Sequence, residues 1–381
     1  MKKIQLFVPT YHIDECLAEI RQCLEIGWTG MGFKTVEFEE AWKKYTGLPQ
    51  AHFLNSSTIG LQLAVKIYKT KFGWLDGDEI ITTPLTFIST NHVILFENLK
   101  PIFADTDDTL CLSPEAIKSK ITPRTKAVMY VGMGGNAGRL KEVRELCKKN
   151  NLILILDAAH MAGAKYLGQQ AGSDIDCAVF SYHAVKNLPT ADSGMICFQE
   201  KELDEMARKM SWLGISKDTY ARSLKGEYKW LYDVEYLGVK GHGNSVMAAI
   251  ALVQLKYLDQ DNEKRRQICE QYNQLLSVCP EIKFVEYLPD CVSSRHLFQI
   301  RVPADLREKL IVYLNSQEIY PGVHYRINTE YKMYSYGLLT CPNAEQAARE
   351  VISLPLHLQL TEEDVARVAQ SVIEFFEKNK I

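Results

Sequence analysis

Val179-Phe180-Ser181-Tyr182-His183-Ala184-Val185-Lys186 passes from an apolar run into polar residues and ends on a lysine. Upstream, Leu152-Ile153-Leu154-Ile155-Leu156-Asp157-Ala158-Ala159-His160 does the same, with an aspartate in the corresponding place. Short aliphatic and β-branched runs of this kind read as strands covered on both faces, and the polar residues after them are what such strands present at their carboxyl ends. Lys186 and Asp157 are therefore expected to meet at one rim of a sheet. Taken singly, they read better as a surface lysine and a capping aspartate.

Further strand-like runs lie at residues 51–54, 79–82, 102–104, 127–131 and 195–198, and helical spacing at 58–71, 86–97, 113–119 and 139–149 fills most of the gaps. This alternation implies right-handed crossovers, with helices on both faces of a mostly parallel sheet. Ligands bind beyond the carboxyl ends of the strands in such sheets. Ahead of it, helices are expected over 13–26 and 36–45, separated by Gly27-Trp28-Thr29-Gly30. After residue 240 the pattern changes to a long amphipathic helix over 246–258 that continues through 262–276. A strand at 296–302, a helix at 304–316 and a last helix at 361–377 follow, the last opened by Thr361-Glu362-Glu363-Asp364. The expected fold is α/β. A large domain over 1–245 carries a mostly parallel seven-stranded sheet flanked by helices, and a smaller C-terminal α/β domain over 246–381 begins with the bridging helix.

Composition narrows the function. A net charge of -3 and a pI near 6.3 supply no basic excess for a phosphate backbone, so nucleic acid is not an expected partner. The ten cysteines form no Cys-x-x-Cys pair, which speaks against structural zinc or a disulfide framework; no metal is expected. Reduced thiols fit a cytoplasmic location. The apolar stretch before Pro9 is too short for a signal peptide, and no run approaches the roughly 20 apolar residues that span a bilayer.

An aspartate and a lysine at one rim are what a pyridoxal phosphate enzyme requires. The carboxylate keeps the pyridine nitrogen protonated, and the amine bonds the cofactor and shuttles protons. Asn55-Ser56-Ser57-Thr58-Ile59-Gly60-Leu61 opens a helix after a strand, so Ser57 and Thr58 read either as a plain cap or as a phosphate cradle. Ser181 is a turn residue or another hydroxyl for that phosphate. Phe87, in Pro84-Leu85-Thr86-Phe87-Ile88, is a core aromatic or a ring that stacks on a planar cofactor. His160 is a core histidine or a contact for the cofactor's phenolic oxygen. His324, Tyr325 and Arg326 follow a turn and are either solvated surface or contacts for an anionic, hydroxylated substrate.

Assembled in order, these segments resemble the DegT-type sugar-nucleotide aminotransferases, a branch of the fold-type I pyridoxal phosphate enzymes related to aspartate aminotransferase. The resemblance runs from Glu25-Ile26-Gly27-Trp28-Thr29-Gly30-Met31-Gly32 through Gly77-Asp78-Glu79-Ile80-Ile81, Asp157-Ala158-Ala159-His160 and Ser181-Tyr182-His183-Ala184-Val185-Lys186-Asn187 to Leu354-Pro355-Leu356. It implies that Lys186 bonds pyridoxal 5'-phosphate and that Asp157 partners the pyridine nitrogen. Thr58, Ile59 and Ser181 would hold the phosphate, Phe87 would stack on the ring, and His160 would sit near the phenolic oxygen. Lys240, in Gly238-Val239-Lys240-Gly241-His242, would reach the phosphate of a neighbouring subunit, so a homodimer with active sites at the subunit interface is implied. His183, within Ser-x-His-x-x-Lys, resembles members that aminate C4 of the sugar. The implied reaction moves an amino group from L-glutamate to a nucleotide-linked 4-keto sugar. The alternatives are a 3-keto sugar, a sugar dehydratase of the same fold, which Lys186 disfavours, and a non-catalytic ligand-binding regulator.

Overall fold

The computed structural model describes residues 2–216 and 232–379. Its strands are β1 (Gln50–Leu54), β2 (Glu79–Thr82), β3 (Lys100–Phe103), β4 (Thr125–Val131), β5 (Ile153–Asp157), β6 (Lys165–Tyr166), β7 (Gln169–Gln170), β8 (Cys177–Ser181), β9 (Gly194–Phe198), β10 (Lys283–Phe284), β11 (Cys291–Val292), β12 (Phe298–Arg301) and β13 (Val351–Leu354). Seven of them form the central sheet, in the order β1-β9-β8-β5-β4-β2-β3. Only β9 runs against its neighbours β8 and β1; the remaining pairs are parallel. All seven expected strands are present, with ends shifted by a residue or two.

Burial on both faces explains the unbroken apolar runs. Along β8, Cys177 and Val179 enter the cluster beneath the helix Ser57–Phe72, while Ala178 and Phe180 enter the opposite cluster with Trp42 and Tyr182. β5 divides in the same way, Ile155 to one side and Leu154 and Leu156 to the other. Successive strand residues face opposite ways, so covering both faces demands apolar residues at every position. Gly60 permits one close approach: a Cβ there would lie 2.6 Å from Val179 Cγ1. The helix that begins at Ser57 can therefore press directly onto β8.

Ser245–Leu276 is a single helix of 32 residues, roughly 48 Å long at 1.5 Å per residue. Its first half gives Ala248, Ala251 and Leu258 to the large core, and its second half gives Ile268, Tyr272 and Leu276 to a separate C-terminal cluster. That cluster backs the antiparallel sheet β10-β12-β13. The helices Lys201–Met210 and Pro342–Glu350 and the strands β10 and β13 add to the expected elements. Ile4 also packs in the C-terminal cluster and bridges to Ile319. The first residues thus pack with the C-terminal part, although the expected division assigned them to the large domain. Among the described residues no helix is long and apolar enough to cross a membrane.

One buried network has the outline of a hydrolase. Glu39 Oε1 lies 3.0 Å from His52 Nδ1, and His52 Nε2 lies 2.7 Å from Ser211 Oγ. That is the order of a carboxylate–imidazole–hydroxyl triad. Glu39, His52 and Ser211 are 5%, 1% and 0% exposed, so no substrate reaches them. They act as a staple. Glu39 also accepts the Phe53 N–H at 2.8 Å and pairs with Arg208 at 2.9 Å, and the Ser211 carbonyl accepts the Gly241 N–H at 2.8 Å. β1 is thereby tied to the segment that carries Lys240.

Burial alone would raise the Glu39 carboxyl, but Arg208, His52 and the Phe53 N–H overrule it and hold the group below its ordinary range. A depressed carboxylate stabilises the fold fully above its unfolded value and loses that contribution as pH falls through the folded one. Glu39→Gln is expected to cost about 2–3 kcal/mol at neutral pH, at the low end for a broken buried pair because the Arg208 side chain is 41% exposed. Urea unfolding checks this, and the gap between variant and wild type should narrow as pH drops below about 4.

Candidate active site

β5 and β8 are parallel neighbours, with Asp157 opposite Val179, so their carboxyl ends open side by side. The chain after β8 is folded back by Tyr182 N–H to Ser193 O at 2.9 Å and Thr190 N–H to Tyr182 O at 2.8 Å, and Lys186 N–H caps a turn on His183 O at 2.8 Å. These bonds carry Lys186 to the mouth of the same strands that deliver Asp157. Both line a cavity of about 370 Å³, together with Ser57, Thr58, Phe87, His160, Ser181, His183, His324 and Tyr325.

Asp157 is 5% exposed. Burial raises its carboxyl above the usual range, against the opposing pull of Thr90, the Ala159 N–H and Lys186. Thr90 Oγ1 donates to Oδ2 at 2.7 Å and the Ala159 N–H to Oδ1 at 3.1 Å. Thr86 and Thr90 share a further bond of 2.9 Å, so a chain of hydroxyls holds the carboxylate in place. A buried carboxylate of this kind gains most from a cationic N–H donor, and the nitrogen of a protonated pyridine ring is one. Burial pulls the Lys186 ammonium down to about 8, with Asp157 resisting. Near neutral pH the amine is thus available both as nucleophile and as base.

The other end of the cavity suits an anion. Ser56 caps the helix Ser57–Phe72, accepting the Ile59 N–H at 3.3 Å, and the hydroxyls of Ser57, Thr58 and Ser181 edge the opening. Helix N-termini attract phosphate through unpaired amides and the dipole. Gly194 belongs to the same construction: a Cβ there would lie 2.6 Å from the Ser57 nitrogen, so β9 can press against the turn only without a side chain. A carboxylate for the ring nitrogen, an amine, an aromatic face and a hydroxyl-rich helix start are the fittings that pyridoxal phosphate needs.

Three of the expected site residues stand apart from the cavity. Arg326 turns outward, where its Nε pairs with Glu330 at 2.8 Å and its guanidinium lies over the Tyr331 ring; an exposed pair one helical turn apart outcompetes a reach inward. Within the chain, Lys240 is exposed, with its Nζ 5.8 Å from the Trp212 ring. The Ile59 N–H already has the Ser56 cap as its acceptor, so a phosphate contact from it would displace that cap. Phe87 is not core: it is 57% exposed, its ring 6.0 Å from that of Tyr325. Both ring nitrogens of His160 are taken by protein partners, Gly134 N–H at 3.1 Å and the Tyr325 hydroxyl at 3.2 Å. Burial, reinforced by the charge of Lys186, drives its pKa well below the ordinary value, and brings His324 to about 4.

Several contributors gave no signal in the sequence. Thr86 and Thr90 look like ordinary helix-start residues, and His296 stands before a short strand with nothing to mark it. Asn187 does follow Lys186, but its partners Asn262 and Ser294 lie far along the chain. Only the fold places these groups around the lysine.

The lysine titration gives a direct test. The rate at which the apo chain takes up added pyridoxal phosphate, followed by absorbance, is expected to rise through a midpoint near 8. Asp157 supports the charged amine, so Asp157→Asn should move that midpoint to lower pH. A profile with its midpoint at the ordinary lysine value would show that Lys186 is not desolvated.

Residues 11–373 match the model of the DegT/DnrJ/EryC1/StrS aminotransferase family. Among solved structures, the chain is similar to the aminotransferase TlmJ from Streptoalloteichus hindustanus, with 30% identity, a TM-score of 0.91 and 100% of each chain covered. It is similar also to PseC of Helicobacter pylori, an aminotransferase involved in the biosynthesis of pseudoaminic acid, with 27% identity, a TM-score of 0.91 and coverage of 99% and 100%. A third is the PLP-form of the putative sugar aminotransferase Spr1654 from Streptococcus pneumoniae, at 25% identity, TM-score 0.91 and 100% of each chain, a protein also solved in its PMP-form. The chain belongs to the DegT/DnrJ/EryC1/StrS aminotransferase family, and its cofactor is pyridoxal phosphate.

Proposed function

We propose that the chain is a sugar aminotransferase that takes the amino group of L-glutamate and places it on a nucleotide-linked 4-keto sugar. The observation that carries the reading is the convergence of Asp157 and Lys186 in one cavity beside a hydroxyl-rich helix start. Its likeness to an aminotransferase of pseudoaminic acid biosynthesis and to a putative sugar aminotransferase supports the sugar as substrate class. His183, which lines the cavity within Ser-x-His-x-x-Lys, supports C4 over C3.

Bound pyridoxal phosphate supplies an electron sink for charge that develops at a carbon beside nitrogen. The protein's part is positional and acid–base. Asp157, held by Thr90 and Ala159, keeps a proton on the ring nitrogen, while Ser57, Thr58 and Ser181 hold the phosphate. Lys186 Nζ removes a proton from the α-carbon of the amino donor, and in the reverse direction returns one to the sugar carbon that receives nitrogen. Two substrates then use one site in turn, which gives ping-pong kinetics. His324 and Tyr325 line the substrate side. Two such chains form the working unit, in which the exposed Lys240 of each reaches the phosphate site of the other. The location is cytoplasmic, in keeping with ten cysteines that are all unpaired.

Adding L-glutamate to the purified holoenzyme should bleach the absorption of the lysine-bound cofactor, and a 4-keto nucleotide sugar should restore it. An unchanged spectrum would overturn the glutamate assignment. Lys186→Ala is expected to lower turnover roughly a thousandfold or more while the chain stays folded. A panel of 3-keto and 4-keto nucleotide sugars, with products resolved by mass spectrometry and NMR, identifies the position aminated. Preference for the 3-keto substrates would reverse the regiochemistry.

A further inference from the structure

Two imidazoles on the cavity wall, His160 and His296, have ring centroids 4.4 Å apart. Each has its proton placed by a partner whose role is unambiguous. A backbone N–H can only donate, so the bond from Gly134 N–H to His160 Nδ1 at 3.1 Å assigns the lone pair to Nδ1. The neutral ring then carries its proton on Nε2. That nitrogen lies 3.2 Å from the Tyr325 hydroxyl, so His160 donates and the phenol accepts. The phenol's own proton cannot point back at His160. Tyr325 lines the cavity, which leaves that proton directed at whatever is bound there.

His296 is set the opposite way. Asn262 Nδ2 donates to the Ala162 carbonyl at 2.9 Å, which presents Asn262 Oδ1 to Asn187. Asn187 Nδ2 donates to that oxygen at 2.6 Å and to the Ser294 carbonyl at 2.7 Å. Asn187 Oδ1 therefore faces His296 Nδ1 at 3.0 Å as an acceptor, and the His296 proton sits on Nδ1. Burial first, then the charge of Lys186, keeps both rings neutral. Burial also keeps the Tyr325 phenol protonated by raising its pKa.

We propose that His160 is a positioning residue that makes the Tyr325 hydroxyl an obligate hydrogen-bond donor to the substrate in the cavity. The matching substrate atom is one with a lone pair, a carbonyl or hydroxyl oxygen of the sugar. A substrate that offers only a donor N–H at that point meets a second proton and is disfavoured. The nature of the substrate rests on the aminotransferase reading, whereas the arrangement of protons does not.

The test has two arms. In holoenzyme labelled with ¹⁵N-histidine, two-bond proton–nitrogen correlations report the tautomer of each ring, and His160→Gln identifies the His160 signals by their loss. His160 is expected as the neutral Nε2–H form and His296 as the neutral Nδ1–H form. A His160 ring protonated on Nδ1, or on both nitrogens, at neutral pH overturns the proposal. The second arm compares kcat/KM for the sugar. Tyr325→Phe and His160→Asn are expected to lose roughly ten- to hundredfold, the scale of one hydrogen bond in a closed site. Glutamine can place an amide N–H where Nε2–H stands and asparagine cannot reach, so His160→Gln should recover about tenfold over His160→Asn. Equal losses in the two variants would overturn it. The tautomer result holds whether or not amino transfer is found, so failure of the functional reading and failure of this one are distinguishable.

Discussion

A lysine and an aspartate brought out of water at the ends of two parallel strands set the terms for the rest of the molecule. Charge removed from solvent is costly unless it is paired or neutralised. The cavity meets that cost with the two charges near one another, with hydroxyl and amide donors on the carboxylate, and with an amine that gives up its proton near neutrality. Neutral histidines complete the wall, since a third positive charge beside Lys186 would be repelled.

The sheet exists to hold that arrangement still. β5 and β8 are apolar up to their last residues, Asp157 and Ser181, because both faces are covered, and that double burial fixes where their polar ends emerge. Gly60 and Gly194 serve the same purpose at the anion end, where the helix start, β8 and β9 approach more closely than side chains would permit. The Glu39–His52–Ser211 staple shows that catalytic geometry alone is not a site. Access distinguishes it from the cavity.

The fold was legible in the sequence because it rests on local periodicity. The seven strands, the long bridging helix and the opening of the last helix at Thr361, with its reciprocal cap to Asp364, all follow from patterns within a few residues. The core of the site was legible for a related reason: Asp157, Ser181 and Lys186 sit at strand ends, where chain position predicts spatial position. What could not be read depends on distant partners. Thr90 matters because it meets Asp157, His296 because Asn187 orients it, and Arg326 turns out because Glu330 is near. Each is an ordinary residue until tertiary packing gives it a neighbour.

The helix Ser245–Leu276 is embedded in both cores, while the cavity takes Lys186 from the chain before that helix and His296, His324 and Tyr325 from the chain after it. A continuous rod of this kind acts as a shared keel. Neither half can melt without exposing apolar surface in its companion, so denaturation should be cooperative across the whole chain, and catalytic competence should vanish together with the fold instead of ahead of it.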